Sequence, residues 1–253
     1  MGTLFHSAMS LALKSWKIWL ILFFFAFIDQ IILQVLGVSQ ITQWAVTNWI
    51  KFGIWFLIST VISTYTGMGY WHYLIELHGG ATPTIATFIA GANKTFLKAF
   101  AGMVIATSLL LPSTLASTAA AIMAPVLSRY LPKVAVTAIT FSGLAIGIIL
   151  FGVAVWLAIK IALWIPSMLY NNTGPLEGMK NSFRLTTNNL LRIFVLLSLP
   201  LGIASGLARV NAVTEIQLLG EILKFFVLPV VIPPLCLMVY HSLGKSSVSA
   251  QSA

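Results

Sequence analysis

The chain has 253 residues, of which 59% are hydrophobic and only 8% charged, with 14 Lys and Arg against 5 Asp and Glu. A water-soluble globular domain carries roughly a quarter of its residues as charges, so a mean hydropathy of +0.98 excludes that class and places the chain in a membrane. Cys236 is the single cysteine, which excludes an internal disulfide and a thiolate metal cluster.

A bilayer core of about 30 Å takes roughly 20 apolar helical residues, and the sequence predicts six such spans. The first runs from about Ile18 to Leu36 behind Lys14 and Lys17, and the second from about Phe52 to Leu74. Asp29 and Gln30 stand where a signal peptidase would need small residues, so the first apolar block reads as a retained span. The third is about Phe100 to Leu127, with Pro112 expected to kink it. The fourth stays apolar from Val134 to Met168, too long for one perpendicular helix, so it tilts or passes the membrane surface near Lys160. The fifth covers about Leu190 to Leu207, and the sixth about Ile222 to Leu243, interrupted by Pro229, Pro233 and Pro234.

Six spans put both termini on one face. That face holds Lys14, Lys17, Lys94, Lys98, Lys160, Lys180, Arg184, Arg192 and Lys245. The other holds Lys51, Arg129, Lys133, Arg209 and Lys224, a division of nine against five. The positive-inside rule then makes the first face cytoplasmic. The charge of +9 is accounted for by loops held against anionic lipid, without nucleic acid as a partner. The sequons at Asn93 and Asn171 fall on the cytoplasmic face and should be unused.

The two halves look alike, at about residues 50–127 and 134–208 of a single integral membrane domain. Each has a span, a Gly/Pro turn, an amphipathic helix with bases toward its end, and a returning span. In the second copy Leu176, Met179, Phe183 and Leu190 recur at helical spacing, with Glu177, Lys180, Asn181, Arg184 and Asn188 opposite. In the fainter first copy Ile85, Phe88, Phe96 and Phe100 oppose Asn93, Lys94 and Lys98. Both amphipathic helices should lie in the cytoplasmic interface, and parallel repeats of this kind leave a shared cleft between them.

Pro166, Glu177, Gly178, Ser182 and Arg184, set between two spans, resemble the membrane domain found beside bacterial glycerophosphodiester phosphodiesterases, and that domain's stand-alone relatives. The resemblance covers about Val134 to Leu207. It implies a bacterial envelope location and a connection with lipid. The family's hydrolytic chemistry belongs to a separate soluble domain that these residues do not contain, so no activity is implied.

Several residues are candidates for function. Asp29 sits inside the first span, where a carboxylate costs several kcal/mol unless neutralised, paired or wetted, with Gln30 and Gln34 beside it. Its structural explanation is pairing with Lys51 or a hydrogen bond within the bundle. Its functional one is a proton or cation site. Ser59, Thr60, Ser63, Thr64, Tyr65 and Thr66 make a hydroxyl-rich stretch that either lines a polar path or glues helices together. The one-turn spacing of Ala116, Ala120 and Ala124, of Gly143 and Gly147, and of Gly202 and Gly206 reads as packing surface. Lys180, Arg184 and Arg192 are candidate contacts for lipid headgroups. His72, Glu76 and His78 lack metal-ligand spacing and read as an interfacial belt with Tyr70, Trp71 and Tyr73. Cys236 and His241 are wrongly spaced for a dyad, and no phosphate-cradling or dinucleotide-binding loop occurs.

The expectation is thus an all-α polytopic transmembrane helical bundle of the bacterial inner membrane with both termini cytoplasmic. It is non-catalytic, without cofactor or metal, and partnered by membrane lipids and by a membrane protein or a second copy. The functional expectation is a module that binds lipid or a membrane partner, with two alternatives: a small-molecule or lipid transporter, or an embedded subunit of a larger complex.

Overall fold

The computed structural model describes residues 2–37, 46–127, 133–208 and 230–251. Among these the chain is all-helical: α1 (Gly2–Lys14), α2 (Trp16–Val35), α3 (Val46–His78), α4 (Ile85–Leu127), α5 (Lys133–Ile161), α6 (Trp164–Tyr170), α7 (Pro175–Thr187), α8 (Leu190–Ala208) and α9 (Ile232–Gln251). Four stretches among the described residues are long and apolar enough to cross a membrane: Trp16–Val35, Ile50–His78, Ile85–Leu109 and Ile148–Tyr170. Ile232–Gly244 is a shorter apolar helix. The expected fifth span is helical as α8. Residues 222–229 of the sixth, with Pro229, lie outside the described residues, as do Arg129, Arg209 and Lys224.

The elements follow from their sequences, with three departures from expectation. First, Lys14 ahead of the first span belongs to a separate helix, α1, which buries Ala8, Leu11 and Ala12 and packs on α9, while Lys17 lies in the first turn of α2. Ser15 makes the break between α1 and α2, its backbone N–H reaching Leu11 O at 3.1 Å and its hydroxyl donating to Ala12 O at 2.7 Å. Second, the amphipathic segment of the first half is no separate helix. Thr84 and Thr87 cap each other's backbone N–H groups at 3.3 and 3.4 Å, and from there α4 runs unbroken for 43 residues. Third, the fourth apolar stretch divides at Ala162 and Leu163, next to Lys160, into α5 and α6.

That break is closed from α7. The Ser182 hydroxyl, fully buried, donates to Lys160 O at 2.7 Å and accepts the Leu163 N–H at 3.1 Å, and the Thr186 hydroxyl adds a bond to the same carbonyl at 3.3 Å. The buried side of α7 is therefore Gly178, Met179, Ser182 and Thr186, rotated away from the expected apolar stripe, and Leu176 is left exposed. The hydroxyls turn inward because the interrupted helix offers them an orphan carbonyl and N–H.

Gly178 permits the contact. A Cβ there would meet the backbone oxygen of Trp164 at 2.9 Å and Met168 Cβ at 3.0 Å. Since a backbone oxygen cannot swing aside, Gly178→Ala is expected to cost about 1–3 kcal/mol by overpacking. A thermal melt of the purified variant in nanodiscs checks this, and an unchanged melting temperature would refute the close approach.

α2 packs against α3, α3 against α4, and α4 against α5, while α6 and α7 pair beside the end of α5. Four of the nine bases assigned to one face have defined surroundings. Lys14 shares a cavity with His78, and Lys94 and Lys98 share one with Asn172 and Thr173. The Lys160 ammonium, buried between the Trp156 and Phe183 rings, donates to Thr187 Oγ1 at 2.9 Å.

Candidate functional site

On α2, Leu20, Phe24, Phe27, Ile31 and Val35 recur at helical spacing and are all exposed, a face suited to lipid. The opposite face carries Leu22, Phe25, Ala26 and Asp29 toward α3, and with Pro233 of α9 these enclose a cavity of about 350 Å³. Its other wall is one stripe of α3: Ser59, Ser63, Thr66 and Tyr70, at successive spacings of four, three and four residues. Helical periodicity alone puts these hydroxyls in line. The two helices run antiparallel, so Ser15 meets Tyr70 at one end and Asp29 lines the cavity with Ser59 toward the other. At 1.5 Å per residue, Asp29 lies about 20 Å beyond the Ser15 break.

Three of the four hydroxyls in this lining donate to backbone carbonyls. Thr66 Oγ1 donates to Ile62 O at 2.8 Å, Ser63 Oγ to Thr60 O at 3.2 Å, and the Tyr70 hydroxyl to Val230 O at 3.1 Å. Those protons are committed, and the oxygens present lone pairs to the cavity. Asp29 adds a carboxyl whose Oδ1 is buried and meets no hydrogen-bond donor among the described residues, the exposed Lys51 included. A lining rich in acceptors, one of them an acid without a donor, matches a ligand that brings donors and positive charge.

Where Tyr70 lines it, the cavity borders a polar knot. Ser15 Oγ lies 2.9 Å from the Tyr70 hydroxyl and accepts from Trp19 Nε1 at 3.3 Å. Tyr70 and Ser15 are almost wholly buried, so this knot fixes α1, α2, α3 and the start of α9 against one another.

The other sequence candidates are placed differently. Gln30 is half-buried and Gln34 exposed, and neither joins Asp29 in the cavity lining, since one and five helical steps turn the side chain by about 100° and about 140°. Lys180 and Arg184 are exposed on α7, and Arg192 is half-buried in the first turn of α8. Of the hydroxyl-rich stretch, Thr60 bonds back to Phe56 O at 2.7 Å, whereas Tyr65 bridges to Asn93 Oδ1 on α4 at 2.8 Å. Thr64 Oγ1 is buried without a partner among the described residues. His241 packs against His78 and Tyr170, its ring 4.7 Å from His78 and 5.3 Å from Tyr170. Among the described residues no three His, Cys, Asp or Glu side chains converge as metal ligands. The small residues Ala116, Ala120, Ala124, Gly143, Gly147 and Gly206 fall outside those whose side chains are described, and Gly202 has open space beside it.

No protein-family model matches the chain, and neither a curated protein nor a solved structure matches it. The described residues are all-helical, and their apolar helices are compatible with a membrane protein.

Proposed function

We propose that this chain is a non-catalytic, multi-pass membrane protein that binds a lipophilic amine in the cleft between α2 and α3. The observation that carries the reading is the buried Oδ1 of Asp29, without a partner among the described residues, in a cleft lined by hydroxyls. Leu22, Phe25, Ala26 and Ile62 give the same cleft an apolar wall, so the fitting ligand has a protonated amine at one end and hydrocarbon at the other. Transport of that ligand is a second reading, favoured by the stripe Ser59–Ser63–Thr66–Tyr70, which carries acceptors along the cleft from Asp29 toward the Ser15 knot.

The setting belongs to the same proposal: six spans in two parallel repeats in a bacterial inner membrane, with the more basic face in the cytoplasm. Support comes from the nine-to-five division of bases and from the likeness of the two hairpin turns, each with a left-handed residue, Gly80 at φ 86° and Asn172 at φ 50°. Kinship with the membrane domain of glycerophosphodiester phosphodiesterases rests on the motif around Gly178 and Ser182, whose roles here are in packing and in closing the helix break.

Hexylammonium and hexanol separate charge from hydrocarbon. Hexylammonium should raise the melting temperature of the protein in nanodiscs and hexanol should leave it unchanged, because a ligand that binds only the folded state stabilises it by mass action. An equal response to both, or none to either, would defeat the reading. For orientation, reporter fusions after Ser128 and after Thr187 should give opposite signals. The same signal from both would overturn the topology.

A further inference from the structure

A second cavity, of about 300 Å³, lies where the turn after α6 meets α3 and α4. Its polar lining is of opposite character to that of the α2–α3 cleft. Lys94 and Lys98 stand one turn apart on α4, and His72, Asn172 and Thr173 complete the ring. Two of these groups are buried with no hydrogen-bond partner among the described residues: His72 Nε2 and Thr173 Oγ1. The fold holds both in place. Gly91 packs directly on the His72 ring and leaves no space for a Cβ, while the left-handed backbone of Asn172 (φ 50°) turns Thr173 inward, its N–H reaching Met168 O at 3.1 Å. Glu76, one turn along α3 from His72, is exposed and does not line the cavity.

We propose that this cavity is a binding site for a phosphate group. Two ammoniums, an imidazole edge and a hydroxyl supply four donors from three directions, and the tetrahedral oxygens of a phosphate take up that arrangement. The two lysines beside the turn after α6 suit the phosphate of an anionic phospholipid, and a free phosphate has the same chemistry. The site shares no residue with the Asp29 cleft, so the two proposals stand or fall separately.

The probes are phosphatidylglycerol, diluted into phosphatidylcholine nanodiscs, and inorganic phosphate. By native mass spectrometry the wild-type protein should retain phosphatidylglycerol through activation that strips other lipid, and the double variant K94Q/K98Q should retain about tenfold less or lower still. Thr173→Val should weaken retention to a smaller degree, and Lys51→Gln, at the other end of the bundle, should not change it. Lys94 and Lys98 are exposed, so their replacement leaves the packing intact, and an unchanged melting temperature in phosphatidylcholine verifies this. If inorganic phosphate stabilises the wild type but not the double variant, and phosphatidylglycerol is not retained, the site takes a soluble phosphate. Identical behaviour of the wild type and K94Q/K98Q toward both probes overturns the proposal.

Discussion

Asp29→Asn is expected to raise the melting temperature of the ligand-free protein and at the same time to abolish its response to amines. The two effects share a cause. Oδ1 of Asp29 is buried without a hydrogen-bond donor among the described residues, and an uncompensated carboxyl at membrane depth costs several kcal/mol. The amide of Asn is neutral, and its NH₂ can donate to the oxygens of Ser59 or Ser63, which line the same cavity. A gain of about 1 kcal/mol or more in the ligand-free state follows. With an amine bound, the sign reverses. Loss of one partner from a buried charge pair costs about 3–5 kcal/mol, which is a factor of roughly 100 or more in affinity. Thermal unfolding of both proteins in nanodiscs, with and without hexylammonium, reads both quantities. A variant that melts lower than wild type and still responds to the amine would make Asp29 a structural group.

Ser182→Ala should be the most damaging single change to the fold outside the apolar core. Its hydroxyl serves both sides of the interruption between α5 and α6, donating to Lys160 O at 2.7 Å and accepting from Leu163 N at 3.1 Å, with the side chain fully buried. Alanine leaves the Leu163 N–H orphaned in a site closed to water and leaves the Lys160 carbonyl with only the longer 3.3 Å bond from Thr186. The expected loss is about 2–4 kcal/mol. Thr186→Val alone should cost less, about 1 kcal/mol. The double variant should lose more than the sum, because each hydroxyl partly covers for the other at one carbonyl. Equilibrium unfolding of the three variants tests this, and a Ser182→Ala variant as stable as wild type would show that the break does not depend on α7.

Much of the bundle could be read from the sequence because membrane helices obey length and hydropathy. The alignment of Ser59, Ser63, Thr66 and Tyr70 was available there too, in their spacing along one helix face. So was the outward face of α2, marked by Leu20, Phe24, Phe27 and Ile31, which leaves Asp29 pointing inward. What the sequence did not contain was the pairing of those two faces, a matter of how α2 is rotated against α3. α1 left a signal that went unused: Leu4, Ala8, Leu11 and Ala12 are spaced as a buried helical face ahead of the first span. The role of Ser182 was hidden for a different reason. A serine in an amphipathic helix reads as part of the polar side, and only the break in α5, some twenty residues earlier, makes its inward position favourable. The phosphate cavity is less legible still, since His72 and Thr173 are about 100 residues apart in the chain and meet only through the packing of α6 beside α3 and α4.

The two cavities differ in the charge they carry: Asp29 lines one, and Lys94 and Lys98 the other. Acceptors line the cleft within the helices, and donors line the cavity beside the turn after α6. An amphiphile with an amine would seek the first and an anionic lipid the second.

Photolabelling tests the central claim most directly. A hexylamine carrying a diazirine on its hydrocarbon chain, bound to the protein in nanodiscs and activated by light, should mark peptides containing Leu22 to Asp29 and Ser59 to Tyr70. Excess hexylammonium should suppress that labelling, and the Asp29→Asn variant should lack it. Labelling spread evenly over the lipid-facing helices, unchanged by competitor or by the substitution, would contradict a binding site between α2 and α3.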